Sequence, residues 1–237
     1  MTVNENKNAI IRLFHVHRRY GKKRALHDVT LDVVKNEFIF ISGPSGAGKT
    51  TLLKLLYLGE RVNEGHVLVD GLNLSSIKKK CIPDLRRKFG IIFQDYKLIS
   101  TKTVYENISL VLEAIGQKGR PIPKNVRSVL RTVGMEDRMD SYPPTLSGGE
   151  QQRVAFARAV ATDPKIILAD EPTGNLDNES AAIIMDLLIR FHTRGATVIV
   201  ATHDMELIRK KGGRVVTLKD GHIQNISFQE SPRKSWK

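Results

Sequence analysis

The sequence predicts an α/β fold around a mostly parallel sheet. Three observations carry that expectation: short β-rich runs alternate with helical patterns, several runs lack polar alternation, and one leads straight into a glycine-rich, phosphate-type motif. The β-rich runs lie at 10–16, 38–42, 66–69, 89–93, 166–169, 197–201 and 214–218, bounded mostly by Gly, Asp, Asn or Lys. Phe38-Ile39-Phe40-Ile41 and Val198-Ile199-Val200 contain no polar residue, which is how strands covered on both faces read. Helical periodicity falls between the runs, at 49–58, 104–115, 124–133, 150–161, 179–191 and 204–209. From about 95 to 162 there are three helical patterns and no convincing strand, with Pro121, Pro123, Pro143 and Pro144 as punctuation. That stretch is expected to be a helical subdomain inserted into a single domain at 10–228, with a polar extension at 1–9 and a basic tail at 229–237.

The composition agrees with one globular domain. The 237 residues are 41% apolar and 27% charged, enough for a sizeable core and unlike a fibre or a disordered chain. No run approaches the roughly 18 apolar residues that cross a bilayer, and the start of the chain is polar and unlike a secretion signal, so a cytoplasmic location is expected. The single cysteine, Cys81, excludes an intramolecular disulfide framework and reads as a partly buried thiol. Lysine and arginine outnumber aspartate and glutamate 38 to 25, a net charge of +13. This points to an anionic partner: a nucleotide, a nucleic acid or an acidic membrane surface.

Gly43, Pro44, Ser45, Gly46, Ala47, Gly48, Lys49 and Thr50 fit G-x-x-x-x-G-K-[ST] and are followed by Thr51 and a helical run. Glycines allow backbone N–H groups to turn inward around an anion, and the helix start adds unpaired N–H groups and the positive end of its dipole. Lys49 supplies a point charge to the β and γ phosphates, and Thr50 offers its hydroxyl to Mg²⁺. Such a loop identifies a nucleotide but not a task.

The apolar run 166–169 ends in Asp170 and Glu171, adjacent carboxylates at the C-terminal end of a buried strand, where open α/β sheets bind ligands. The first suits the magnesium shell. The second, pointing the other way, suits the orientation or deprotonation of an attacking water. The strand at 197–201 likewise delivers His203 and Asp204, making His203 a candidate γ-phosphate sensor. Ser147, Gly148, Gly149, Glu150 and Gln151 precede an amphipathic helix, with Ser147 as a natural cap, so one chain carries two helix starts suited to phosphate.

With Leu146-Ser147-Gly148-Gly149-Glu150-Gln151 in place, the chain resembles the ATP-binding cassette (ABC) ATPases over about 10–226, its motifs standing in that family's order. The resemblance implies a P-loop ABC nucleotide-binding domain: a mostly parallel core sheet, an antiparallel β subdomain and an inserted α-helical subdomain. It matches Tyr20 to the aromatic that stacks on adenine, 43–50 to Walker A and Gln94 to the Q-loop glutamine near Mg²⁺. It matches Ser147 to Gln151 to the signature, Asp170 and Glu171 to Walker B and the catalytic base, Asn175-Leu176-Asp177 to the D-loop and His203 to the switch histidine. An active ATPase using ATP and Mg²⁺ is expected, with two copies packing head to tail around two composite sites.

Within the family, Phe93-Gln94-Asp95-Tyr96-Lys97-Leu98, Thr103-Val104-Tyr105-Glu106-Asn107 and Ala169 to Asp177 resemble the FtsE cell-division group and its lipoprotein-release and macrolide-export relatives. Gln94-Asp95 after Phe93, Ala47 in the loop and Leu53-Lys54-Leu55 tilt the resemblance to the FtsE group. Tyr57-Leu58-Gly59, the polar start and the basic tail depart from the usual pattern. The resemblance implies an integral membrane FtsX-like subunit, a place on the inner face of the membrane, and control of cell-wall hydrolysis. The partner's cytoplasmic helix is expected near 94–103, with Tyr96 and Leu98 as contacts. The basic stretches 78–80, 86–88 and 209–211 suit solvent or an anionic lipid surface. A specific nucleic-acid role is not expected, since nothing here resembles the zinc modules, paired cassettes or coiled-coil insertions of relatives with that role.

Overall fold

The computed structural model describes residues 8–230, so 1–7 of the polar start and 231–237 of the basic tail lie outside the described residues. The chain opens with β1 (Ala9–Tyr20), β2 (Lys23–Val34), β3 (Phe38–Ser42), α1 (Lys49–Leu56), β4 (Glu64–Val69), β5 (Leu72–Asn73) and α2 (Ile82–Arg86). It continues through β6 (Phe89–Ile92), α3 (Val104–Ala114), α4 (Pro121–Thr132), α5 (Gly148–Val160), β7 (Ile166–Asp170) and α6 (Asn178–Thr193). β8 (Thr197–Thr202), α7 (Met205–Lys211), β9 (Gly213–Lys219) and β10 (His222–Gln229) follow. These elements form two compact units: residues up to Arg86 with those from Thr197 onward, and Arg87–Ala196.

The first unit holds two sheets. One is antiparallel, with strand order β2-β1-β4-β5, as the resemblance implies. In the other, β3 runs parallel to both β8 and β9, and β10 pairs antiparallel with β9. Ile39, Phe40 and Ile41 are fully buried and all six residues of β8 are buried, which explains why these strands read as continuous apolar runs. Leu52, Leu53, Leu55 and Leu56 of α1 are buried in the same unit.

In the second unit, β6 runs parallel to β7, whose Ile166 to Ala169 are fully buried. Apolar stripes of α3 (Ile108, Leu112), α4 (Val126, Leu130) and α5 (Val154, Ala155, Phe156, Ala157) complete this core. A Cβ on Gly90 of β6 would collide with the Ala159 carbonyl of α5, so the strand and helix approach at a distance only glycine permits.

Sequence pattern and structure part at identifiable places. The whole of β2 escapes the pattern reading although Val29, Leu31 and Val33 alternate with Thr30 and Asp32, because a bulge with Asp28 at φ 51 breaks the period upstream. A similar irregularity at His15 (φ 47) hides the second half of β1. β10 carries Ile223, Ile226 and Phe228, but a register shift between Ile223 and Asn225 breaks their period, and the strand is paired with β9. α4 begins at Pro121, three residues before the expected start, because proline is tolerated in a first helical turn. α1 ends at Leu56 with Leu58 at φ 55, and there Arg86 donates to the carbonyls of Tyr57 (3.3 Å) and Leu58 (3.1 Å). Arg86 is therefore a helix-terminating donor, not simply one charge of a solvated stretch. Cys81 is a half-buried free thiol, as expected.

Candidate active site

The chemistry is distributed over both units. In the first, β3 ends at Ser42 and the chain turns through 43–48 into α1. Gly43 has φ 145 and Gly48 φ 108; a Cβ at the first would strike the Leu218 carbonyl, and at the second the Ala25 carbonyl. The loop is tied internally by Ala47 N–H to the Pro44 carbonyl (3.2 Å) and externally by Gly221 N–H to the Ala47 carbonyl (3.2 Å). Lys49 is buried, 7% exposed, and its Nζ donates to the carbonyls of Gly43 (2.8 Å) and Pro44 (3.3 Å), so the ammonium lies across the mouth of its own loop.

The start of α1 has no side-chain cap and no acidic residue in its first turn. A helix start of this kind, with the Lys49 ammonium beside it, suits an anion. Thr50 is exposed and Thr51 half-buried at this start.

β8 brings His203 to the same end of the unit: Ser42 and Thr202 pair in register, so His203 leaves its strand level with the start of the loop, and it is exposed. Asp204 does different work, accepting from Glu206 N–H (2.9 Å) and Leu207 N–H (3.0 Å) to cap α7. Tyr20, at the exposed end of β1, carries the Arg18 guanidinium 4.5 Å from its ring centroid.

In the second unit, β7 delivers Asp170 and Glu171, both half-buried. Glu171 has φ 46, a left-handed conformation that is uncommon for a non-glycine residue and more so before proline. A turn closes over it, with Gly174 N–H donating to the Glu171 carbonyl at 3.2 Å. The exposed Gln94 follows β6, and Asn175 Nδ2 reaches its carbonyl at 3.4 Å, so the sequence-predicted Q-loop and D-loop meet.

Ser147 starts α5 with a reciprocal cap: its Oγ accepts from Glu150 N–H (3.2 Å), and the Glu150 carboxylate accepts from Ser147 N–H (2.8 Å). That backbone donor chiefly holds the Glu150 carboxyl below its ordinary range. Gly148 and Gly149 form the first turn; a Cβ on Gly149 would collide with Ser180 Oγ at the start of α6. Asp177 caps α6 by accepting from Ser180 N–H (2.8 Å) and Ser180 Oγ (2.9 Å). Gln151 donates to the Leu146 carbonyl at 3.0 Å.

Three polar side chains that sequence reasoning passed over hold these segments. Asn107, 1% exposed, donates to the carbonyls of Ile99, Lys102 and Thr103 at 2.9–3.1 Å and accepts from Ile99 N–H at 2.8 Å. Arg158 of α5 donates to the carbonyls of Tyr96 (2.8 Å) and Lys97 (2.5 Å), consecutive residues both at positive φ. Burial presses the Arg158 guanidinium below its ordinary pKa and raises that of Tyr96. Gln152 donates to the Pro172 carbonyl at 2.7 Å. A polar residue on an otherwise apolar helix stripe was the available signal for Asn107 and Gln152. Tyr96 and Leu98 are half-buried, and Ile99 is the large apolar side chain this segment exposes.

Glycine-rich turn, lysine, capped serine helix and paired carboxylates define a nucleotide-dependent ATPase, and the ABC transporter family model matches residues 26–174: the chain belongs to that family. Its relatives include the cell division ATP-binding protein FtsE of Streptococcus pneumoniae, 44% identical over 216 residues, covering 91% of this chain and 94% of the relative. FtsE of Escherichia coli is 44% identical over 215 residues, covering 90% of this chain and 97% of the relative. Among solved structures, the dimeric post-hydrolysis state of the ATP-binding cassette MJ0796 bound to ADP and Pi matches with a TM-score of 0.84 and 33% identity, over 94% of this chain and 100% of that one.

Proposed function

We propose that this chain is the ATP-hydrolysing subunit of an FtsE-type membrane complex, working as a homodimer with an integral, FtsX-like membrane subunit. The observation that carries the reading is the start of α1: a helix with no cap of its own, preceded by glycines at positive φ and overlain by the Lys49 ammonium. Relatives 44% identical over nine-tenths of the chain support the FtsE type. Among the described residues no helix is long and apolar enough to cross a membrane, which fits a cassette whose membrane half is another polypeptide at the inner face.

In this reading residues 10–228 act as one cassette domain bearing the helical insert at 95–162. The loop 43–51 cradles the triphosphate, Tyr20 stacks on adenine, and Ser147, Gly148, Gly149 and Gln151 reach the nucleotide of the opposite copy with Asp177 beside them. Thr50, Gln94 and Asp170 would hold Mg²⁺ directly or through water, and the ion would supply neutralisation of phosphate charge. The donor set fits a hard, oxygen-seeking cation. Glu171 orients and deprotonates the attacking water, and His203 senses the γ-phosphate. Segment 94–103, fixed by Arg158 at one end and Asn107 at the other, receives the partner's helix. The exposed lysines 78–80 remain the stretch best placed for an anionic lipid surface.

The test is phosphate release by the full-length chain purified with its co-extracted membrane protein. Steady ATP turnover that Lys49→Ala abolishes is the expected result; ATP binding with no turnover in the intact complex would overturn it.

A further inference from the structure

α5 does more than present the serine-glycine start. Gln152 lies one turn into it, 1% exposed, and among the described residues its side chain makes one hydrogen bond, from Nε2 to the Pro172 carbonyl at 2.7 Å. Its Oε1 is buried and has no partner among the described residues. The amide orientation is fixed by chemistry: a flip would set Oε1 against the Pro172 oxygen. As packing alone this is a poor choice, because an orphaned buried carbonyl costs stability that an apolar side chain of the same length would not lose.

The bond falls at a sensitive place. Glu171 and Pro172 begin the turn closed by Gly174 N–H on the Glu171 carbonyl. Pro172 offers no N–H, so its carbonyl is the backbone group by which this corner can be held. Glu171 sits at φ 46 immediately before it, a conformation that persists only where the surroundings over-determine it. The turn bond holds the Glu171–Pro172 peptide, and Gln152 holds the next one, Pro172–Thr173.

We infer that Gln152 is a positioning residue for Glu171: the Gln152 Nε2 to Pro172 O bond holds the Glu171–Pro172 corner so that the carboxylate meets the attacking water at the reactive angle. The inference rests on Glu171 being the catalytic base. An unpositioned base remains chemically competent but fails geometrically, so the loss falls on kcat and not on nucleotide capture.

Gln152→Met keeps length and volume and removes the donor. In the purified full-chain complex it lowers kcat for ATP at least about tenfold, leaving KM within about twofold of wild type. On a Glu171→Gln background the same change leaves the residual rate unaltered, since the group it positions is gone; a merely structural role would lower both rates alike. Gln152→Asn retains the amide but shortens its reach, gives an intermediate kcat, and serves where the Met variant melts below the assay temperature. A kcat within about twofold of wild type in folded Gln152→Met, with Glu171→Gln inactive, overturns the positioning role alone. Full turnover in Glu171→Gln overturns the assignment of Glu171, and the brace with it.

Discussion

Two helix starts in this molecule bear on phosphate, and they are built in opposite ways. α1 opens on Gly48 with no side-chain cap and no acid in its first turn, and Lys49 alone fills the mouth of the loop. α5 opens on Ser147 with two backbone donors, those of Ser147 and Glu150, engaged by a serine–glutamate box. The open start is the one proposed to take the phosphates. The closed start is tied by its own box, and it offers the Ser147 hydroxyl proton and the helix dipole to whatever docks on it.

The largest effects should fall on the open start. Lys49→Ala removes the cation at the developing charge and should lower turnover by at least about a hundredfold, read as phosphate release at saturating ATP. Retention of most of the rate would show that α1 is not the primary phosphate site. Next, Asn107→Ala strips the segment 99–103 of its four hydrogen bonds and should cost about 2–4 kcal/mol in denaturant unfolding. The closed start should be milder: Ser147→Ala loses the cap and about 1 kcal/mol of stability, while ATP binding to the isolated chain stays near wild type.

The smallest effect is a pH response to which the capped starts of the second unit contribute, beside Asp28 and Glu136, whose carboxyls are lowered foremost by hydrogen bonds with His15 and Arg131. Glu106, Glu150 and Asp177 are each held below their ordinary pKa, foremost by a backbone N–H: that of Thr103, Ser147 and Ser180 respectively. A depressed carboxylate contributes stability that is present above its unfolded pKa, about 4, and is lost as pH falls through the folded value. Denaturation midpoints should therefore decline below about pH 4.5, and Glu150→Gln should flatten part of that decline. The first turn of α1 carries no acid and contributes nothing to this slope.

Much of the open site was legible because a phosphate loop is a local device: strand, glycines, lysine and helix lie consecutively at 38–56, and the structure places them as the spacing requires. The capped start was legible for the same reason, since Ser147 and Glu150 stand three apart. The braces were not. Gln152 to Pro172, Arg158 to Tyr96 and Asn175 to Gln94 join positions 20 to 81 residues apart, and no period or short motif encodes them. β2 was lost for a related reason, as the bulge at Asp28 shifts which residues face inward midway along the strand. Periodicity finds regular elements; it is blind where the backbone is deliberately irregular, as at Glu171.

In the proposed dimer the open start of one copy meets the capped start of the other across ATP. This arrangement is tested most directly by a disulfide between Ser45→Cys of one chain and Ser147→Cys of its neighbour, on a Cys81→Ser, Glu171→Gln background in the intact complex. A crosslinked dimer should form with ATP and not without nucleotide. Equal crosslinking in both conditions, or none with ATP while nucleotide binding is intact, would contradict it.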